Sequence, residues 1–362
     1  MDSILRRWHP FFCLLAVSPL VSQTVRVVDP SGGGQYLTVT AAIAASLPGD
    51  TILVRGGVWA GVSIDIPLRI ASAGPRPSFL QIDFRFYNAR PTLPVVITGV
   101  DFMFGTIVGA GSVVLEDCTA RHLGVYDTES LLVVDATATG FGIPFPGPSL
   151  DLHDTHAAVV SSTIVGWTGQ PAIGVDNGSL QAADCTLTGG PGYGSTPPGP
   201  AVRGRGTRIA LTRSTLAGGG TNPQVAVDVD DRSTVAVDPS VVFTGSMPQM
   251  LEKRALAHLE GAGVAAGQRA SVQLSGPPRT FAFLALADRA TAPAECPFGT
   301  LWLDPAGFFA TVMTGTTDDT GRTTLAYTMP PLVCGTPLYF QGLVLPASAP
   351  PSLTVPLAVV VR

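Results

Sequence analysis

GSVVLEDCTA (residues 111–120), ESLLVVDATA (129–138) and THAAVVSSTI (155–164) are successive copies of one short phrase. Three further copies read NGSLQAADCTL (177–187), TRIALTRSTL (207–216) and RSTVAVDPSV (232–241). Each copy is an apolar run followed by a polar residue, a small residue and a hydroxyl. The hydroxyls recur 18 to 29 residues apart, which is typical of a solenoid whose coils differ mainly in their loops. They belong to Thr119, Thr137, Thr163, Thr186, Thr215 and Ser240.

The apolar run of each copy has the two-residue period of a β-strand. Val113 and Leu115 in the first copy, like Leu180 and Ala182 in the fourth, alternate with other residues and share one strand face. Such a short strand buries that face only by stacking on equivalent strands, about 4.8 Å apart. The pattern therefore predicts an all-β fold, with a right-handed, single-stranded parallel β-helix over residues 23–246.

The first 22 residues have the organisation of a secretory signal peptide. Arg6 and Arg7 precede an apolar run from Phe11 to Val21, and small and polar residues follow it. This apolar core is too short to span a bilayer. We therefore expect residues 1–22 to be removed and the remaining chain to be secreted or displayed at the cell surface. No other segment is apolar enough to predict a membrane span.

The composition suits an all-β exported protein and argues against a nucleic-acid partner. The chain has 41 Gly and 32 Pro to punctuate short strands, and 13% of its residues are charged. Its formal net charge is −5, and Lys253 is its single lysine. We see no basic patch that could hold a phosphate backbone.

The segment GGGQYLTVTAAIAASLPGDTILVRGGVWAGVSI (residues 32–64) reads as the cap and first coil of the solenoid. Within it, Thr38 is predicted to cap a short helix that runs through Ala45 and covers the open end. This segment resembles the opening of the pectin lyase-like β-helix superfamily, which includes pectate lyases, pectin methylesterases and non-catalytic surface proteins. The resemblance implies the fold, and it makes polysaccharide the first ligand class to consider.

Two long Gly/Pro-rich interruptions, at 140–149 and 188–199, open at the same point of the phrase. They should project from one edge of the solenoid and frame a binding groove. Exposed aromatic side chains along such a groove would favour glycan binding. The candidates near it are Tyr126, Trp167 and Tyr193.

A column of polar residues two positions before each phrase supplies further candidates. Its members are Asp127, His153, Asp176, Arg205 and Asp230. Of these, Asp127, His153 and Arg205 are predicted to contribute to binding. His153, Asp154 and His156 bring carboxylate and imidazole groups together, which could form an acid/base pair or a weak metal site. The alternative is a surface turn.

A second column places a carboxylate just before the small residue of four copies. Its members are Asp117, Asp135, Asp184 and Asp238. Such a column could hold Ca²⁺ for a uronic-acid polymer, because hard cations take several oxygen ligands and the resembling pectate lyases use such acids. Ser161 and Arg213 interrupt the column, however, and Asp is also favoured by turn chemistry. We therefore expect a structural role and no cofactor, with Asp117, Asp135 and Asp184 as the alternative Ca²⁺ ligands.

The hexapeptide VDFMFG (residues 100–105) is similar to the pectin methylesterase motif that contains the nucleophilic Asp. That similarity would make Asp101 the nucleophile. The upstream glutamine segments and the later Arg-Pro-Trp motif of that family are absent, and Asp101 falls in the hydroxyl column of the repeat. We therefore expect Asp101 to be non-catalytic.

Residues 247–362 change character and read as a second domain. Short β runs recur there at about ten-residue spacing between Gly, Pro and Asp turns, which predicts an antiparallel β-sandwich. Cys296 and Cys334 both lie in this part, and export would allow them to form a disulfide. Cys118 and Cys185 share one repeat position three coils apart, roughly 14 Å at the strand spacing. That is beyond the about 7 Å reach of a disulfide, so packed thiols are predicted.

Taken together, these patterns predict a secreted two-domain protein that binds extracellular or cell-wall polysaccharide without catalysis. A different class remains open, namely a polysaccharide lyase or carbohydrate esterase acting on pectin-like polymers. A third reading is a structural protein of the cell surface. The glycan and the oligomeric state are not specified by the sequence.

Overall fold

The computed structural model confirms the predicted fold class: long parallel sheets curl round an axis, and antiparallel sheets follow them. It describes residues 23–87, 90–140, 147–220, 225–246, 251–253, 256–261, 268–287, 290–296, 299–303, 309–328, 337–346, 351–354 and 356–360. The predicted signal peptide lies outside these residues. Within them, no helix is long and apolar enough to cross a membrane.

One helix and the first 25 strands form the parallel part. They are β1 (Val25–Val28), α1 (Val39–Ala44), β2 (Thr51–Val54), β3 (Val58–Trp59), β4 (Val62–Ile64), β5 (Arg69–Ser72), β6 (Ser78–Arg85), β7 (Val95–Thr98), β8 (Asp101–Val108), β9 (Ser112–Glu116), β10 (Thr119–Tyr126), β11 (Ser130–Val134), β12 (Thr137–Thr139), β13 (Leu150–His153), β14 (His156–Val160), β15 (Thr163–Val165), β16 (Ile173–Asp176), β17 (Ser179–Ala183), β18 (Thr186–Thr188), β19 (Val202–Arg205), β20 (Arg208–Thr212), β21 (Thr215–Ala217), β22 (Val227–Val229), β23 (Thr234–Val237), β24 (Val242–Thr244) and β25 (Leu251–Lys253).

The strands of this part belong to two parallel sheets. The first sheet runs β1-β2-β5-β7-β9-β11-β14-β17-β20-β23-β25, one strand per coil. In the second sheet, the long strands β6, β8 and β10 each fill one coil. From the next coil onward two short strands replace them, β12 with β13, β15 with β16, β18 with β19 and β21 with β22, and an insertion separates the two. The insertions therefore leave from one edge in successive coils.

The N-terminal end of the solenoid is covered by α1, as the sequence predicts. The Thr38 Oγ1 atom accepts a hydrogen bond from the Ala41 N–H at 3.2 Å, so Thr38 caps the helix. Val39 and Ala42 are buried in the same apolar cluster as the strands beneath. The helix thus shields apolar surface that an open solenoid end would expose.

The threonines of the repeat stack on neighbouring coils, which confirms most of the predicted register. Thr119 pairs with Thr137, and Thr163, Thr186 and Thr215 follow in the same column. The final member was wrong, because Val242 rather than Ser240 pairs with Thr215. The Ser240 hydroxyl instead donates to Asp238 Oδ1 and accepts a hydrogen bond from the Arg213 N–H.

A left-handed residue makes the corner between the two sheets. Asp117, Asp135, Ser161, Asp184 and Arg213 have φ between 45° and 56°, and each directly follows a strand of the first sheet. Their N–H groups continue the ladder, as when the Asp135 N–H donates to the Val160 carbonyl at 3.1 Å. Asp is among the few non-glycine residues that adopt this conformation readily. Asp117, Asp135 and Asp184 therefore have the structural role that the sequence favoured, whereas Asp238 is not left-handed and instead accepts hydrogen bonds from Ser240.

Two predicted core thiols are buried and unbridged. Cys118 lies two residues after the end of β9, and Cys185 lies two residues after the end of β17. These two strands are three positions apart in the first sheet. Burial raises the pKa of each thiol to about 12, so neither is a reactive nucleophile near neutral pH. Cys296 is partly exposed, and Cys334 lies outside the described residues, so their disulfide stays a prediction.

The C-terminal part is antiparallel, as predicted. Its strands are β26 (His258–Gly261), β27 (Arg269–Ser275), β28 (Phe281–Ala287), β29 (Ala290–Cys296), β30 (Gly299–Leu303), β31 (Phe309–Thr316), β32 (Arg322–Thr328), β33 (Pro337–Leu345), β34 (Ser352–Leu353) and β35 (Leu357–Val360). They form the sheets β26-β27-β32, β31-β28-β33-β34 with β35 on β33, and β29-β30. Because β25 still belongs to the first parallel sheet, the parallel part extends past the predicted boundary at residue 246.

The C-terminal sheets pack on the outer face of the first parallel sheet. Val114, Leu132 and Ala158 form one outward row there and share a buried cluster with Leu284 and Tyr339. The strands β9 and β11 are therefore buried on both faces, unlike the one-sided strands that the alternation suggested. Val134, Val160 and Ala183 form a second outward row in the same cluster, so two rows of the parallel sheet pack against the C-terminal part.

The corner geometry makes a prediction about stability. Substituting Ser161, whose φ is 50°, by the β-branched Val should lower the free energy of unfolding by about 1–2 kcal/mol, because valine tolerates this conformation poorly. Thr163→Val is the matched control, since Thr163 is exposed in an extended strand and should change stability by less than about 0.5 kcal/mol. Urea denaturation of both variants measures the difference. Equal losses would contradict the role assigned to the corner.

Candidate functional site

A face rich in charged and polar side chains lies on the outer side of strands β10, β13, β16, β19 and β22. Two outward columns run across it from coil to coil. We call their polar members the polar ladder, and they are Tyr126, His153, Asp176 and Arg205 in one column and Asp151, Arg203 and Asp228 in the other. Parallel pairing brings residues from five coils together, although they are distant in sequence.

His153 lies at the centre of the polar ladder. Its ring stacks on Tyr126, with 5.0 Å between ring centroids and 12° between ring planes. Its Nε2 atom is 3.1 Å from Asp151 Oδ1, and its Nδ1 atom is 3.5 Å from Asp176 Oδ2. The imidazole is thus oriented by a ring on one side and by two carboxylates, while about a third of it is exposed.

A glycine shapes the surface beside this stack. A side-chain carbon on Gly124 would come within 2.7 Å of the Tyr126 ring and 2.8 Å of its hydroxyl. The ring can therefore lie back along its own strand only because residue 124 has no side chain. Burial, and next the negative charge of Asp151, raise the pKa of Tyr126, so its hydroxyl remains a donor.

The other end of the polar ladder is basic. Arg203 Nε and Arg205 Nη2 are 3.3 Å and 3.2 Å from the same oxygen of Asp228. Two guanidinium groups share one carboxylate, which leaves net positive charge and unused N–H donors at this end. The ladder is therefore acidic around His153 and basic around Arg205.

The polar column that the sequence suggested was one residue out of register at its first member. Tyr126, and not Asp127, pairs with His153. Asp127 joins Asp154 and Asn177 at the second left-handed corner of the coil, with φ of 51°, 47° and 53°. Asp127 is ion-paired with Arg90. Counting positions from the phrase does not take into account that Asp and Asn favour the left-handed conformation of this corner.

The predicted cluster of His153, Asp154 and His156 is not brought together. Asp154 turns the chain, so that His153 ends β13 in the second sheet and His156 begins β14 in the first. His156 Nδ1 lies 3.0 Å from the Ser179 hydroxyl. The partners that His153 does have, Asp151 and Asp176, come from its own strand and the next coil.

The aromatic candidates beside the insertions differ in exposure. Trp167 is 4% exposed, and its Nε1–H donates to the Arg121 carbonyl at 3.0 Å, so its indole belongs to the interior. Tyr193 is 79% exposed near the middle of its insertion. The two long insertions follow Thr139 and Thr188, as the phrase predicted, and part of the first lies outside the described residues.

Asp101 has a partner that the sequence did not reveal. Arg76 Nη1 is 3.2 Å from Asp101, and Arg76 Nη2 is 2.6 Å from Asp117 in the next coil. Asp101 begins β8 and pairs with Thr119, which confirms its place in the hydroxyl column. A single exposed arginine therefore bridges two carboxylates here.

The column proposed as an alternative Ca²⁺ site is partly neutralised by arginine. Asp117 pairs with Arg76, and Asp184 Oδ1 accepts from Arg213 Nε at 2.7 Å. Asp135 occupies the same corner position in the coil between them. Within the described ranges, no group of three or more His, Cys, Asp or Glu side chains is arranged to hold a metal ion.

Comparison with known proteins assigns no family. No protein-family model matches the chain, and no curated protein matches it either. The parallel sheets are compatible with a β-helix, while the pectin lyase-like resemblance remains an inference from residues 32–64. The function must therefore be argued from the polar ladder itself.

The environment of Tyr126 can be tested by titration. Asp151→Asn should lower the pKa of Tyr126, because it removes a negative charge that disfavours the phenolate, while burial should keep the pKa above its ordinary value. NMR of ¹³C-labelled tyrosine, assigned with Tyr126→Phe, measures this pKa. Asp228→Asn is the control at the far end of the ladder. An equal change in both variants would refute the proposed coupling.

Proposed function

We propose that this protein is exported and binds extracellular or cell-wall polysaccharide through the polar ladder, without turning the polymer over. The observation that carries the proposal is the partly exposed Tyr126–His153 stack flanked by Asp151 and Asp176. Aromatic faces pack against the apolar faces of sugar rings, and carboxylates accept hydrogen bonds from sugar hydroxyls. Both kinds of group stand side by side on this surface.

The arrangement favours a polymer over a single small sugar. Successive ladder residues are separated by one coil, about 4.8 Å, so the surface offers similar contacts repeatedly along the solenoid axis. The ladder extends from Tyr126 to Asp228 across strands of five coils. Exposed Arg203 and Arg205 add donors for hydroxyl or carboxylate groups farther along the same chain. An extended glycan can contact many of these groups at once.

The binding test compares ladder variants on a panel of plant and microbial polysaccharides, with and without Ca²⁺. Tyr126→Ala should weaken binding roughly tenfold, because a stacked aromatic side chain contributes about 1 kcal/mol beyond its buried area. His153→Ala should weaken it as well. Phe281→Ala removes an exposed aromatic side chain of β28, in the C-terminal part, and should leave affinity unchanged. Isothermal titration with soluble fragments measures the affinities.

Absence of wild-type binding across the panel would refute the proposal. Equal effects of Tyr126→Ala and Phe281→Ala would place any binding elsewhere. Circular dichroism and denaturation curves of each variant separate a lost contact from a lost fold.

An esterase is the second candidate, and Arg76 is the observation in its favour. A carboxylate nucleophile needs donors for the developing oxyanion and a group that moves protons. Arg76 brings Asp101 and Asp117 together, which supplies a second carboxylate and a cation. However, Asp101 Oδ1, an oxygen of the candidate nucleophile, is ion-paired with Arg76. The described residues around Asp101 also do not include a glutamine pair like that of the methylesterase motif.

Methanol release decides between the two candidates. We expect background release from methylated pectin for the wild type and for Asp101→Asn alike, because the donors required for an oxyanion are incomplete. Gas chromatography of the headspace measures the methanol. A clear wild-type rate that Asp101→Asn abolishes and Asp228→Asn retains would establish the esterase and overturn the non-catalytic proposal.

A further inference from the structure

A second exposed face has a regular composition that glycan binding does not use. Strands β12, β15, β18 and β21 read TAT, TIV, TLT and TLA, and the middle residue of each is buried. Their first residues are exposed and pair from coil to coil. We call this column the threonine ladder, and it consists of Thr137, Thr163, Thr186 and Thr215. The outward third residues are Thr139, Val165, Thr188 and Ala217.

The constancy of this column is not explained by strand preference alone. Threonine suits any exposed strand position, so a general preference would place it in the other outward columns too. The column of β14, β17, β20 and β23 instead reads His156, Ser179, Arg208 and Thr234. The polar-ladder column likewise changes residue in every coil. Of these three columns, only the threonine ladder has the same residue in four successive coils.

The hydroxyls of the threonine ladder are directed to solvent rather than to the protein. Among the described residues, the side chains of Thr137, Thr163, Thr186 and Thr215 make no hydrogen bond to a protein atom. Insertions of different length follow each short strand, yet the pairing of the threonines continues without a shift. Hydroxyls and methyls therefore repeat at the strand spacing of about 4.8 Å on a rigid surface.

From this geometry we propose that the threonine ladder binds ice, that is, the crystalline lattice of water. Each threonine presents a hydroxyl that can take the place of a lattice water and a methyl group beside which water is ordered. The column itself is uncharged, which suits a neutral lattice. It also contains no aromatic ring, whereas polysaccharide surfaces are recognised largely through such rings. The proposal is independent of the glycan site.

The test uses the full mature chain and measures its uptake into a growing polycrystalline ice hemisphere, together with inhibition of ice recrystallisation. We expect the wild type to enter the ice and to slow grain growth. Thr163→Lys should lose most of both effects, because the long charged side chain disrupts the centre of the ladder. Thr234→Lys is the matched control, since Thr234 is an exposed threonine that begins a strand of the other sheet. It should behave like the wild type.

A milder pair of variants removes one group at a time. Thr163→Val deletes the hydroxyl and Thr163→Ser deletes the methyl, and both should reduce ice uptake while circular dichroism remains unchanged. Exclusion of the wild type from ice, or equal uptake by Thr163→Lys and wild type, would overturn the proposal. Adsorption to crystalline cellulose or chitin that Thr163→Lys abolishes would assign the ladder to a solid polysaccharide instead and would equally overturn it. Neither result depends on Tyr126 variants, so failure here is distinct from failure of the glycan site.

Discussion

Two sharp corners per coil, each made by a residue in the left-handed conformation, are the constraint on which the parallel part depends. Asp135 and Asp154 illustrate the two corners of one coil, and their backbone N–H groups remain in the ladder while the chain changes direction. Because every coil turns at equivalent points, the strands on either side stay in register. Short polar residues are used there since they adopt this conformation at low free-energy cost. The same demand accounts for an acidic column that otherwise resembles a cation site.

The register set by these corners also aligns the surface on which the C-terminal part packs. Two outward rows of the first sheet, one including Val114 and Leu132 and the other Val134 and Val160, are apolar and lie under the C-terminal sheets. The hydroxyls of Ser112 and Tyr339 form a hydrogen bond of 3.2 Å across this junction. The middle strands of the first sheet are thereby buried on both faces, whereas the polar ladder and the threonine ladder both lie on the second sheet.

The second sheet is divided by its insertions into two strips with different chemistry. One strip carries the stacked Tyr126–His153 pair, two carboxylates and two arginines, and its residues vary from coil to coil. The other repeats threonine. Variation suits recognition of a ligand with distinct groups, whereas repetition suits a periodic surface. The absence of a matching protein family means that these assignments rest on the chemistry of the two strips.

The sequence by itself determined the solenoid, because the apolar period, the threonine spacing and the turn residues of each phrase are local features that agree with one another. It also located Thr38 at the helix cap and His153 on a polar face. It could not determine that Tyr126 replaces Asp127 in the ladder, since the position of a corner decides which residue faces outward and a shift of one residue exchanges the faces. Nor could it reveal Arg76 beside Asp101, which lies 25 residues away in the chain. Only the tertiary structure decided that the runs at 131–134 and 157–160 are buried on their outer face as well, because packing between the parallel and C-terminal parts depends on contacts that no single segment contains.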